Sequence, residues 1–204
     1  MVSEDSRIFL QGLLHYHGDY RVTPIFLPVS MDAVVGKNYI ESLKALYKQQ
    51  RRWAWGVEHL AYMVPRFFRD KQMPFRIKLK YTFNHIEGMY TWATAPLLIF
   101  VLGYLPFWVS ADEVSVLVHA TPFTLEWVMR FASLGVFASA LLSFAFLPPR
   151  PKRVQRGKWA IMFLQWLLLP VTFIFFGSLP AIDAQTRLAL GRYLGFNVTK
   201  KVRV

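Results

Sequence analysis

The sequence predicts a mainly α-helical membrane protein with a polar N-terminal part. Of its 204 residues, 54% are hydrophobic and 17% are aromatic, which is more apolar than an ordinary soluble domain. Three long apolar runs follow residue 88, and each is long enough to cross the ~30 Å of hydrocarbon in a bilayer. The first 88 residues are polar by comparison, with 13 Lys and Arg against 8 Asp and Glu.

We expect the three apolar runs at residues 89–109, 127–147 and 159–180. The first carries no charged residue, and the second contains several small residues that allow close helix packing. In the third, Pro170 removes a backbone hydrogen bond near the middle, so this run either crosses once or re-enters. The sequence therefore predicts two to four membrane segments.

The charges between the runs predict a topology. The connection between the first two runs has acids and no Lys or Arg, whereas residues 148–158 have five Lys and Arg and no acid. By the positive-inside rule, the second connection and residues 1–88 are cytoplasmic, which predicts a multi-pass protein of the plasma (inner) membrane. The net charge of +12 is spread along segments that flank apolar runs. This favours anionic lipid headgroups over nucleic acid as the partner.

Helical spacing also appears before the membrane runs. A short extended segment is predicted at residues 26–29, and a helix is predicted from Lys37 to about His59. Residues 57–71 then combine an apolar stripe with basic residues, interrupted by Pro65. This pattern predicts an amphipathic segment in the membrane interface. The alternative is a helix that packs on the protein's own core.

The pentapeptide Gln49-Gln50-Arg51-Arg52-Trp53 is the first candidate for chemistry. Arg pairs bidentately with phosphate, Gln bonds hydroxyl groups and Trp offers a stacking face, so the set suits a sugar linked to a nucleotide diphosphate. The alternative is that Arg and Trp anchor a helix among lipid headgroups.

Three other features contain residue types that can carry chemistry. Glu4 and Asp5 form an acid pair that is either a general base with its neighbour or a pair of ordinary helix-start charges. The tail 196–201 has Thr and Lys that can reach diphosphate oxygens, or it is a basic terminus near lipid. His15 and His17 lack a third ligand nearby in sequence, and the chain has no cysteine, so no metal site is predicted here.

The order of these motifs resembles the membrane-embedded family 2 glycosyltransferases, of the cellulose synthase and hyaluronan synthase kind. An acid pair precedes Gln-x-x-Arg-Trp, the membrane runs follow, and Phe-x-Val-Thr-x-Lys comes after them. The resemblance implies a nucleotide-diphosphate sugar donor, a glycan or lipid-linked acceptor, and a divalent metal, Mg or Mn. It also implies that the polar part holds a fragment of a GT-A-type α/β domain.

The resemblance implies a role for each motif. Asp5 would be the catalytic base, with Glu4 as its companion. Gln49, Arg52 and Trp53 would form the end of the site that binds acceptor and diphosphate. The gating loop would consist of Phe196, Val198, Thr199 and Lys201.

The same resemblance divides the chain into four parts. Residues 1–36 would be a remnant of the catalytic domain, and residues 37–88 would hold the Gln-x-x-Arg-Trp helix and interface helices. Residues 89–180 would be the membrane region, and residues 181–204 would be a cytoplasmic interface helix with the gating tail.

The chain departs from this family in lacking a nucleotide-binding half before the acid pair. We therefore expect the metal ligands to lie in that half, either as part of a longer enzyme or as a separately encoded domain, and we expect this chain to be inactive alone. A cytoplasmic tail also requires the third run to re-enter. The competing interpretation is a non-catalytic membrane subunit or scaffold that partners a separate transferase.

Overall fold

The structure is a computed structural model that describes residues 4–27, 29, 36–109, 116–147 and 157–195. Within these ranges all regular elements are helical, and no strand is present. The mainly α prediction is confirmed for the described chain. The α/β fragment is not shown, and residues 19–27, which include part of the predicted extended segment, form no regular element.

The α-helices are numbered in chain order, with short 3₁₀ and π turns between some of them. They are α1 (Glu4–His15), α2 (Tyr39–Ala54), α3 (Glu58–Arg69), α4 (Phe75–Val109), α5 (Val116–Ala145), α6 (Gly157–Leu164), α7 (Leu169–Phe173) and α8 (Leu179–Ala189). A 3₁₀ turn, Trp55–Val57, joins α2 to α3. The chain divides into two compact units, the first formed by residues 1–95 with 175–204 and the second by residues 96–174.

Local sequence explains where α1 ends and α2 begins. Gly18 adopts a left-handed φ of 94° just after α1, and its N–H donates to the Leu13 carbonyl at 2.8 Å. Glycine suits this position because it tolerates the left-handed region. At the start of α2, the Asn38 side chain accepts the N–H of Glu41 at 2.8 Å. This is a typical N-cap, so α2 begins within two residues of the predicted Lys37.

One buried cluster of the first unit, the Leu13 cluster, joins α1 to α3. Its buried members are Leu10, Leu13, Met63, Phe67 and Met73. Of the apolar stripe predicted for residues 57–71, Phe67 is buried in this cluster, and Leu60 and Val64 pack partly buried against it. This part of the stripe contacts the protein's own core, as the alternative interpretation expects. Phe68, the next residue on α3, lies outside this core, because 84% of its surface is exposed. Pro65 does not end α3, which continues to Arg69.

A second buried cluster of the first unit, the Trp55 cluster, joins α2, α4 and α8. It consists of Ala54, Trp55, Ala93, Ala181 and Ala184. The alanines allow α2 and α8 to approach closely around the indole. Two side chains also bond to carbonyls of α4: the Gln185 amide donates to Met89 at 3.0 Å, and the Ser178 hydroxyl donates to Trp92 at 3.4 Å.

Two stretches of the described chain are long and apolar enough to cross a membrane. They are Glu126–Ala145 on α5 and Ala160–Ala189, which runs from within α6 to the end of α8. These correspond to the second and third predicted runs. Pro170 lies in the first turn of α7, directly after a 3₁₀ turn, so the helix type changes there while the chain stays helical.

The first predicted run, residues 89–109, is the second half of α4 and stays a prediction as a membrane span. Helix α4 begins earlier, at Phe75. Before residue 90, its inner face packs Ile77 and Tyr81 against the Leu13 cluster. An apolar stripe on the same helix is exposed, formed by Phe75, Leu79, Phe83 and Ile86.

Candidate functional site

Helical geometry divides the pentapeptide at the end of α2 between two roles. Gln49, Arg52 and Trp53 are spaced i, i+3 and i+4, so they share one face of the helix. Trp53 is 49% exposed. By the same spacing, Tyr47, Arg51 and Trp55 share another face, and there Trp55 is completely buried. Trp53 is therefore accessible to a ligand, while Trp55 holds the end of the helix in place.

Arg51 is fixed by an ion pair between α2 and α8. Its Nη1 donates to Oδ2 of Asp183 at 2.8 Å, and the other carboxylate oxygen accepts from Nε of Arg187 at 2.6 Å. These side chains are partly buried, so the pair is less screened than a surface salt bridge. The sequence did not single out Asp183, although it is the only acid among residues 181–204.

Tyr47 completes this polar cluster one turn before Arg51. Its hydroxyl shares a hydrogen bond with the Asp183 carboxylate. Partial burial, and then the negative charge of Asp183, raise the pKa of Tyr47 above its ordinary value. The phenol therefore stays protonated and can donate to the carboxylate. Tyr47 and Arg51 together hold the end of α2 against α8.

Glu58 connects the pentapeptide helix to the helix that carries the acid pair. Its Oε2 accepts the indole N–H of Trp55 at 3.0 Å. Its Oε1 lies 4.0 Å from Nη2 of Arg7 on α1. Burying an indole N–H without a partner costs free energy, and Glu58 removes that cost. The described connection between the two predicted motifs therefore runs through Arg7, Glu58 and Trp55.

The structure describes some of the predicted site residues and not others. Asp5 lies in the first turn of α1 and is exposed, and Glu4 is the first residue of that helix. Gln49 and Arg52 are partly buried near the end of α2. The predicted gating loop, Phe196, Val198, Thr199 and Lys201, lies outside the described residues.

The structure also pairs two histidines that the sequence did not single out. His59 on α3 is 1% exposed, and its ring centroid lies 6.2 Å from that of His85 on α4. Burial lowers the pKa of His85, although a hydrogen bond to the Gly56 backbone opposes this shift. Nothing in the local sequence marks the pair, because the partners come from different helices.

The two histidines that the sequence did single out have other surroundings. Nδ1 of His17 lies 3.0 Å from Oδ2 of Asp70. His15 is exposed and meets the ring of Tyr16 edge to face. Across the described ranges, no three His, Asp or Glu side chains are grouped so that they could hold a metal ion.

Comparison with known proteins adds no relative. No protein-family model, curated protein or solved structure matches this chain.

Proposed function

We propose that this chain is the acceptor-side and membrane part of a glycosyltransferase. The enzyme would transfer a sugar from a nucleotide-diphosphate sugar to a glycan or lipid-linked acceptor, in the synthesis and export of a polysaccharide at the plasma (inner) membrane. The observation that carries the proposal is the division of α2: Gln49, Arg52 and Trp53 share one face, and the half-exposed Trp53 contrasts with the buried Trp55.

Each group on the face that carries Trp53 suits part of such a substrate. An indole stacks on the flat face of a sugar and tolerates its movement along the ring plane. A guanidinium at Arg52 would stabilise the negative charge that develops on the leaving diphosphate. The Gln49 amide can bond sugar hydroxyl groups. Because Arg51 and Trp55 fix the helix from behind, these three groups would be held in a defined arrangement.

Asp5 is proposed as the general base. Its carboxylate would accept the proton of an acceptor hydroxyl while that oxygen forms a bond to the anomeric carbon of the donor. The bond between that carbon and the diphosphate oxygen breaks, and the nucleoside diphosphate leaves with the electron pair. Attack opposite the leaving group inverts the anomeric centre. Positioned general bases contribute about 10²- to 10⁴-fold to such steps.

The donor site and its divalent metal, Mg or Mn, are proposed for a nucleotide-binding domain outside this chain. One part of the described chain suits contact with such a domain. Ile25, Phe26 and Leu27 expose 79%, 91% and 70% of their surfaces in a segment without regular structure. Consecutive apolar residues that are all exposed often mark a surface that contacts another protein. The same observation favours the second candidate function, a non-catalytic subunit that holds a separate transferase at the membrane.

The test measures sugar transfer in membranes that contain this chain together with a nucleotide-sugar-binding domain, supplied with a panel of labelled nucleotide sugars. We expect Asp5→Asn to lower transfer by about 100-fold or more. Trp53→Ala should lower it by about tenfold, whereas Trp53→Phe should retain most of it, since a phenyl ring still stacks.

Lys48→Gln is the matched control, because Lys48 is exposed on the same helix and has no proposed role. Thermal unfolding of each variant separates loss of transfer from loss of fold. Full transfer by both Asp5→Asn and Trp53→Ala would overturn the site assignment. Transfer that needs the chain to be present but tolerates both substitutions would favour the non-catalytic subunit.

A further inference from the structure

A basic groove lies between α1 and the end of α3, in the first unit. It is open and has a volume of about 670 Å³. Its titratable lining consists of His15, His17, Tyr62, Arg66, Arg69, Asp70 and Lys71. His15 is the last residue of α1 and His17 lies in the turn after it, and the other five lie on α3 or in the turn that follows it. None of them belongs to the motifs assigned to sugar transfer.

Asp70 is the only acid in the lining, and its carboxylate is already engaged. Oδ1 accepts the backbone N–H groups of Gln72 at 2.8 Å and Met73 at 3.0 Å, which closes the turn after α3. Oδ2 bonds Nδ1 of His17 at 3.0 Å. The His17 hydrogen bond is the main cause that lowers the pKa of Asp70. The carboxylate therefore shapes the turn, and its charge is offset by these donors.

The basic side chains then outnumber the acid in the groove. Arg66 is held in place, because its Nη1 donates to the Tyr62 carbonyl at 2.8 Å and its guanidinium lies 3.7 Å from the centroid of the Tyr62 ring. Arg69 and Lys71 flank Asp70 and are exposed. Three cations around one engaged carboxylate leave a positive field that attracts an anion.

Two exposed aromatic residues lie close to these cations in sequence, outside the lining of the groove. Phe68, beside Arg69 in sequence, is 84% exposed, and Phe75, which begins α4, is 74% exposed. The exposed stripe of α4 continues from Phe75 toward the apolar second half of that helix. Basic groups next to exposed aromatic rings are typical of protein surfaces at the boundary of headgroups and acyl chains.

We propose that the basic groove binds the phosphate of an anionic phospholipid, with Arg66, Arg69 and Lys71 on the phosphate oxygens and Phe68 and Phe75 against the acyl chains. A free phosphate would satisfy the cations equally well. It would gain nothing from the two exposed rings, and that difference favours the lipid.

The experiment titrates the full chain, purified in a neutral detergent, with three soluble probes: dihexanoyl phosphatidic acid, dihexanoyl phosphatidylcholine and inorganic phosphate. Phosphorus NMR reports the bound fraction. We expect saturable binding of the phosphatidic acid, weaker binding of inorganic phosphate and no saturable binding of the phosphatidylcholine. The double variant Arg69→Gln/Lys71→Gln should weaken phosphatidic acid binding by about tenfold or more, because two charge-assisted contacts are lost.

Lys44→Gln/Lys48→Gln is the matched control, since it removes the same charge from exposed positions of α2 outside the groove. It should change the affinity by less than about twofold, as expected for distant surface charges. Equal weakening by both double variants would overturn the groove as a site. Inorganic phosphate that binds as tightly as phosphatidic acid would overturn the lipid as its ligand.

Discussion

The two units of this chain use their apolar residues in opposite ways. In the first unit, Trp55 and Leu13 are completely buried and each lies at the centre of a cluster supplied by several helices. In the described part of the second unit, Ala140 is the one buried hydrophobic residue. Large side chains of that unit such as Phe131, Leu134 and Leu167 expose 67%, 64% and 76% of their surfaces.

Lipid around the second unit would account for this difference. A soluble helix covers its apolar face by packing, and monomers rarely expose large apolar patches to water. The helix that contains Glu126–Ala145 is apolar enough to span a bilayer, yet it buries little of that surface within the chain. Lipid is the environment in which such a helix needs no protein cover. The first unit, by contrast, uses protein packing and ion pairs.

The largest predicted effect concerns the packing of the first unit. Trp55→Ala should lower the free energy of unfolding of the first unit by about 3–5 kcal/mol, because a fully buried indole leaves a cavity and Glu58 loses a hydrogen-bond donor. Thermal or denaturant unfolding of the detergent-solubilised chain measures it.

The neighbouring Trp53→Ala is the matched control for Trp55→Ala. Trp53 is half-exposed on the same helix, so its loss should change stability by no more than about 0.5 kcal/mol. Equal destabilisation by the two substitutions would contradict the assignment of a structural role to Trp55 and an accessible position to Trp53.

The next prediction tests the lipid-facing side of the comparison. Leu141→Lys places a charge on a half-exposed position within Glu126–Ala145. If lipid surrounds that position, insertion should become less favourable by about 3 kcal/mol. The fraction of chain that resists alkaline carbonate extraction from membranes should fall accordingly.

Ile8→Lys is the control for this substitution, since Ile8 is 60% exposed on α1 in the first unit. A lysine there should meet water and leave membrane extraction unchanged. Normal extraction of the Leu141→Lys protein would instead place Glu126–Ala145 in contact with water.

The sequence predicted the parts of this comparison that depend on local patterns. Length and apolar composition located two of the apolar stretches, and Asn38 lies where a helix start was expected. Contacts between distant residues could not be obtained this way. Arg51 and Asp183 are 132 residues apart, and the local sequence around each residue does not predict a contact with the other. The stripe on residues 57–71 stays a prediction as a membrane-interface segment, because an amphipathic face fits a protein core as well as a membrane: Phe67 is buried in the Leu13 cluster, whereas Phe68 is exposed.

Helical spacing contains one further signal about the two tryptophans of this segment. Tyr47, Arg51 and Trp55 recur every four residues, which already separates them from Gln49, Arg52 and Trp53. The spacing alone predicts that Trp53 and Trp55 point in different directions, but each face carries one Arg and one Trp, so it does not say which face is buried. The partners of Trp55 on α4 and α8 could not be predicted either, because any apolar helix could cover that face.

The smallest predicted effect concerns pH and the His59–His85 pair of the first unit. Burial holds the pKa of His85 below its ordinary value of 6.5, so the unfolded chain binds a proton that the folded chain does not. Stability is thus complete above about pH 6.5 and is partly lost as the pH falls from there toward the folded pKa. Unfolding measured between pH 7.5 and 5.5 should show this loss, and His85→Gln should flatten the profile.

His15→Gln is the control, because His15 is exposed and its removal should leave the slope unchanged. A slope that survives His85→Gln would assign the acid sensitivity to other groups and leave the packed unit's histidine pair with a purely structural role.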